Sequence, residues 1–281
     1  MPASIPLTWL YVPGDRRDRI NAALAGAADV VILDLEDAVT PDAKDAARQS
    51  VWAAAQTSGR PLQVRINAED SPWQSDDADM LRSLPGSVGV RLPKIHSVDA
   101  VRRLADAVGE RPLHLLIESA LGVELGYHLA RAHPRVATIA LGEADLRADL
   151  GIADESGLAW ARSRIVNAAA AAGLPPPPMS VYPNHRDLDG LAKSCQLGRG
   201  LGFRGRTAIH PAQLPVIRRS FSPTDDEVRR ARTLLAAAER GRRSGHGAVA
   251  LPDGTFVDAA VVRRARAVVD LADADGARPE L

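Results

Sequence analysis

A chain of 281 residues, 46% apolar and 25% charged, is long enough to bury a large core, and its charged residues recur too often for a membrane span. Its 35 Lys and Arg equal its 35 Asp and Glu, so no overall field points to nucleic acid or an anionic membrane as a partner, and its single cysteine, Cys195, excludes an internal disulfide. With no basic-then-apolar pattern at the N-terminus, the composition reads as a soluble cytoplasmic protein.

Apolar runs then alternate with alanine-rich helical stretches. Residues 8–12 read as a strand ending in Pro13-Gly14, and residues 16–25 as a helix. Residues 30–35 form a second strand, followed by a helix over 41–55 whose Pro41 suits a first turn. Strands at 62–66, 88–92, 113–117 and 136–141 come next, each with a helix-compatible segment behind it, including 122–132. A run of four prolines, 175–178, leads into a short seventh strand at 180–182, and 207–209 supplies the eighth. Eight such units predict an α/β fold, a (β/α)8 TIM barrel over residues 1–221. Residues 222–281 do not fit the repeat and read as a C-terminal helical extension, with helices over 226–240 and near 259–272. Such a tail can pack on the barrel's flank, cap its mouth or reach a neighbouring subunit.

In β/α folds ligands bind just past the C-terminal ends of the strands. Glu118 and Asp145 stand there, after the fifth and sixth runs, and two carboxylates from neighbouring strand ends suit Mg2+, which keeps several waters and substrate oxygens in its octahedron. Asp34, Glu36 and Asp37 follow the second run; because neighbouring residues on a strand face opposite ways, the three are not expected to serve one site. Arg65 lies inside an otherwise apolar strand, where a guanidinium needs an anion: either a salt bridge within the barrel or, the preferred reading, a carboxylate or thioester oxygen of a ligand. Lys94 and His96 read as solvated loop residues, and His210 as a structural histidine. Arg16, Arg17 and Arg19 begin a helix, whose free N–H groups and positive charge suit a phosphate-bearing ligand; a solvated face is the plainer alternative.

The stretches Tyr11-Val12-Pro13-Gly14-Asp15-Arg16, Val31-Ile32-Leu33-Asp34-Leu35-Glu36-Asp37-Ala38-Val39, Val64-Arg65-Ile66-Asn67, Leu92-Pro93-Lys94, Leu116-Ile117-Glu118-Ser119, Leu141-Gly142-Glu143-Ala144-Asp145-Leu146, Ala208-Ile209-His210-Pro211-Ala212-Gln213 and Phe256-Val257-Asp258 run in order through the chain. In them it resembles the citrate lyase β-subunit-like branch of the HpcH/HpaI aldolase/citrate lyase superfamily. The resemblance implies a barrel, usually a homotrimer, that uses Mg2+ to make or break a carbon–carbon bond in a citryl-, malyl- or citramalyl-like thioester of coenzyme A or an acyl carrier, with a 2-keto acid as the other product. By position it makes Glu118 and Asp145 the metal ligands, Arg65 the substrate arginine that stabilises the thioester enolate, and Glu36 with Asp37 the acidic pair supporting the metal's waters. Asp258 matches an aspartate donated into a neighbouring subunit's site, a candidate acid for the enolate carbon.

Two positions depart from the family pattern. Residues 175–184 lack an aspartate that many relatives carry in that loop, and Glu143 stands where a small residue is usual. Three other functions compete with the lyase: an aldolase of free hydroxy and keto acids, a malyl-CoA thioesterase, and a non-catalytic subunit of a lyase complex. The intact set Arg65, Glu118 and Asp145 argues against the last of these.

Overall fold

The computed structural model describes residues 6–276, which divide into two compact units, Pro6–Phe221 and the segment from Ser222 onward. In the first unit strands and helices alternate: β1 (Thr8–Pro13), α1 (Arg17–Ala25), β2 (Val30–Asp34), α2 (Lys44–Thr57), β3 (Leu62–Arg65), α3 (Gln74–Arg82), β4 (Gly89–Leu92), α4 (Val98–Val108), β5 (Leu113–Ile117), α5 (Ala120–Glu124), α6 (Gly126–Ala130), β6 (Val136–Leu141), α7 (Glu143–Leu150), α8 (Ala159–Ala172), α9 (Leu188–Leu201), β7 (Arg206–Ala208) and α10 (Leu214–Phe221). These seven strands form one parallel sheet in the order β6-β5-β4-β3-β2-β1-β7. Each strand from β1 to β6 lies beside its predecessor and β7 returns to the free side of β1, the order of a TIM-barrel-like α/β fold.

The expected strand at 180–182 is absent. Instead Met179 makes a single parallel bridge to Arg206. The prolines before it have no N–H to donate to a ladder, so the segment attaches where it can still pair: Pro177 accepts from the Arg204 N–H at 3.0 Å, and Met179 donates to the Gly205 carbonyl at 3.0 Å. On the β6 side no ladder forms, and the Glu143 N–H donates to Ser180 Oγ at 3.2 Å.

Strand alternation separates two layers. Val12, Leu33, Val64, Val90 and Ile117 join Ile20, Val51 and Leu104 of the surrounding helices in the main core, while Trp9, Val30 and Ile32 form a separate cluster with Tyr11 on the opposite, inner face. Burying a side chain such as Leu33 contributes about 1.5–3 kcal/mol. The inner face also carries polar residues, Asp34 and Arg65 as the last residues of β2 and β3, and Gln63, Arg91 and His114 within β3, β4 and β5. The helix expected over 122–132 is two short ones, α5 and α6, meeting at Leu125.

In the second unit α11 (Asp225–Arg243) starts at a capping box, Thr224 with Glu227. It is followed by β8 (Val249–Ala250) and β9 (Phe256–Val257), an antiparallel pair, and by α12 (Ala259–Gly276), which packs on α11. Among the described residues no helix is long and apolar enough to cross a membrane.

Candidate active site

At the C-terminal ends of the strands lies a cavity of about 430 Å³, lined among others by Tyr11, Arg19, Asp34, Asp37, Arg65, Arg91, Glu118 and Asp145. Glu118 follows β5 directly and is only 6% exposed. Its carboxylate is held by the backbone N–H of Lys94, which donates to Oε2 at 2.7 Å. Lys94 adopts φ 53°, a left-handed conformation uncommon outside glycine, and this turns its N–H towards Glu118. On the other side Gly142 leaves the space that Glu118 occupies; a Cβ there would overlap the carboxylate. Burial raises the Glu118 carboxyl above its usual range, opposed by the Lys94 N–H and Arg65, and the nearby Asp145 adds to the rise. Asp145, in the first turn of α7, has no side-chain partner among the described residues.

These two carboxylates repel one another, and although Arg65 and Lys94 lie near enough to favour the charged Glu118, neither carboxylate forms an ion pair among the described residues. Among the described residues no group of three or more His, Cys, Asp or Glu is arranged to hold a metal. A pair of hard oxygen donors lining one cavity nevertheless fits Mg2+, which commonly takes one or two carboxylates and completes its shell with water and substrate oxygens.

Next to the pair, Arg65 gathers three carboxylates. Its Nε and Nη2 donate to Asp34 at 2.8 and 2.6 Å, and its Nη1 lies 2.7 Å from Glu36 Oε2 and 3.2 Å from Asp37 Oδ2. The expectation that Asp34, Glu36 and Asp37 could not share a site is therefore overturned. Strand β2 ends at Asp34, so alternation no longer governs the next residues and the loop folds Glu36 and Asp37 back onto Arg65. Burial opposes the charge on Arg65, yet Asp34 and Glu36 hold its pKa well above the ordinary arginine value. The carboxyl of Glu36 is pushed up to about 7, chiefly by burial and against the pull of Arg65. Its Oε2 is buried and without a hydrogen bond, and its Oε1 accepts from Lys94 Nζ at 2.7 Å. Lys94, read from sequence as a solvated loop residue, is thus a working part of this cluster: its backbone fixes Glu118 and its ammonium neutralises Glu36.

Among the three arginines of the first helix, Arg19 alone lines the cavity; Arg16 pairs with Asp18 and Arg17 donates to Ser50 Oγ at 3.1 Å. Glu143 turns away from Asp145. Strand β6 has already ended, and the Glu143 carboxylate accepts two bonds of 2.7 Å from Arg162 on α8. His210 accepts from the Ala212 N–H at 3.1 Å, a capping role. In the second unit Asp258 caps α12, accepting from the N–H groups of Ala260 at 2.8 Å and Val261 at 2.9 Å. Sequence reading missed Arg91, although Val90-Arg91-Leu92 carries the same signal that singled out Arg65, a guanidinium within an apolar strand.

Residues 7–211 match the model of the HpcH/HpaI aldolase/citrate lyase family. The chain is 36% identical over 271 residues to a (3S)-malyl-CoA thioesterase of Cereibacter sphaeroides, covering 94% of each chain. It is 34% identical to citrate lyase subunit beta of Leuconostoc mesenteroides subsp. cremoris, over 95% of this chain and 93% of the relative. Its fold is similar to that of the protein CitE from Mycobacterium tuberculosis, solved in complex with magnesium, acetoacetate and coenzyme A, with a TM-score of 0.83 and 33% identity over 97% of this chain and 100% of that one. With its strand order, its paired carboxylates at the strand ends and these relatives along almost its whole length, the chain belongs to the HpcH/HpaI aldolase/citrate lyase family.

Proposed function

We propose that this protein is a Mg2+-dependent carbon–carbon lyase acting on a 3-hydroxyacyl thioester, citryl-, malyl- or citramalyl-like, and on the reverse condensation. The observation that carries this reading is one cavity lined by two carboxylates, Glu118 and Asp145, that form no ion pair among the described residues, and by the Arg65 guanidinium, whose side chain is 11% exposed. The magnesium bound in M. tuberculosis CitE supports the choice of metal. Glu118 and Asp145 would hold the ion, and Glu36 and Asp37 would support its waters. When bound, Mg2+ polarises the hydroxyl and carboxylate oxygens of the substrate and favours loss of the hydroxyl proton.

In cleavage, the electron pair of the breaking carbon–carbon bond passes to the thioester as an enolate, and the hydroxyl carbon becomes the carbonyl of a 2-keto acid. Arg65 is pre-set to meet that charge: its carboxylate partners fix the plane of the guanidinium before substrate arrives. The enolate carbon then takes a proton, for which Asp258 of a neighbouring subunit is the acid in this proposal. Arg19 suits the phosphates of a coenzyme A handle, and a homotrimer in the cytoplasm is the proposed working form.

Thioester hydrolysis is the second reading, favoured by the similarity to a (3S)-malyl-CoA thioesterase. The products separate the two. Malyl-CoA, citramalyl-CoA and the free hydroxy acids are incubated with enzyme, with and without Mg2+, and followed by mass spectrometry. The lyase gives an acyl-CoA and a 2-keto acid from the esters alone and only with metal. Free coenzyme A and an intact hydroxy acid would assign the hydrolase instead.

A further inference from the structure

Arg91 sits on the inner face of β4, beside Arg65 in the β3–β4 register, and is 2% exposed. The two guanidiniums line the same cavity but differ in their partners. All the donor nitrogens of Arg65 face carboxylates. Among the described residues Arg91 meets none: Nε donates to Gln63 Oε1 at 3.1 Å, Nη1 to the Tyr11 hydroxyl at 3.4 Å, and the guanidinium carbon lies 5.6 Å from the centre of the Tyr11 ring. Nη2 has no partner there. Its neighbour across the β4–β5 pair, His114, adds no second positive charge, because burial and Arg91 push that imidazole down to about 3, leaving it neutral.

A buried guanidinium with only neutral partners is costly unless an anion comes to it. Its place on a strand inside the barrel suits a small anion, and its planar fork matches a carboxylate in two-point contact. The metal pair and Arg65 already account for the reacting groups: Glu118 and Asp145 serve the hydroxyl and its neighbouring carboxylate, and Arg65 the thioester oxygen. We propose that Arg91, with Tyr11 and Gln63, forms a second carboxylate site that selects a dicarboxylic 2-keto acid over a monocarboxylic one. This rests on the lyase reading, and makes Arg91 a specificity residue for it.

Calorimetric titration of the full-length protein in Mg2+ with oxaloacetate and with pyruvate tests the site without needing turnover. Wild type should bind oxaloacetate about 30-fold or more tighter than pyruvate, the cost expected for losing a buried charge-assisted contact. Arg91→Gln should abolish that ratio while leaving pyruvate affinity within about threefold, and Arg91→Lys, which keeps the charge without the fork, should retain part of it. Loss of folded protein lowers the number of sites titrated rather than the two affinities, so their ratio reports on the folded fraction alone. Equal affinities in wild type, or a ratio untouched in both variants, would overturn the proposal. Failure of the lyase reading shows elsewhere: an Arg91-dependent ratio with no acyl-CoA product keeps the site and removes the reaction.

Discussion

At Gly142 a missing side chain decides where the Glu118 carboxylate lies. A Cβ would overlap Glu118 Oε1, Cγ and Cδ, and the carboxylate, already fixed on its other side by the Lys94 N–H, would have to leave its place. Gly142→Ala is therefore expected to weaken Mg2+ binding about 10- to 100-fold, as loss of a ligand's support commonly does, with little change in thermal stability. Calorimetry with Mg2+ checks it; unchanged affinity would mean that Glu118 is free to reach a metal from another rotamer. At this scale the sequence is most legible where a residue type is out of place for its segment. A carboxylate closing an apolar run marked Glu118, and an arginine within one marked Arg65. Lys94 carries no such mark, since its role comes from a left-handed backbone and from partners 24 and 58 positions away along the chain. Asp34 was paired with Arg65 only once the adjacent register of β2 and β3 was known.

The elements show where hydrophobic pattern alone reaches its limit. The bounds of β5 and β6 are legible in the sequence because a strand covered on both faces is a nearly continuous apolar stretch, interrupted here only by His114 and Thr138, between turn signals. Those of the segment after the prolines are not, because its attachment depends on backbone donors that proline lacks. Here the barrel wall is completed by side chains, and the Glu143–Arg162 pair beside Ser180 is part of that seam. Both partners are buried, and although Arg162 also pairs with Glu155, removing Arg162 leaves the Glu143 carboxylate without a counter-charge. Arg162→Met should cost about 3–5 kcal/mol in urea denaturation, and the double replacement Glu143→Gln with Arg162→Met should recover much of the loss. A single variant as stable as wild type would place the stability of the seam elsewhere.

For the whole molecule, the proposal that one subunit completes its neighbour's site turns on Asp258. Because Asn caps a helix about as well as Asp, Asp258→Asn keeps the start of α12 while removing the acid. Mixed with Arg65→Ala protein, it should form hybrid oligomers in which some sites hold both native residues, and turnover should return in proportion to mixing. Confirmed hybrids that stay inactive would confine Asp258 to its own chain. The most direct measurement of the central claim is carbon–carbon chemistry itself. Acetyl-CoA deuterated at its methyl group is incubated with enzyme, Mg2+ and a panel of 2-keto acids, and its label and products are followed by mass spectrometry. The account predicts a new hydroxyacyl-CoA, or label lost to solvent, only with metal and at a rate about 10²–10³ lower in Arg65→Ala. Neither product nor exchange with any keto acid, in protein shown to bind Mg2+, would contradict it.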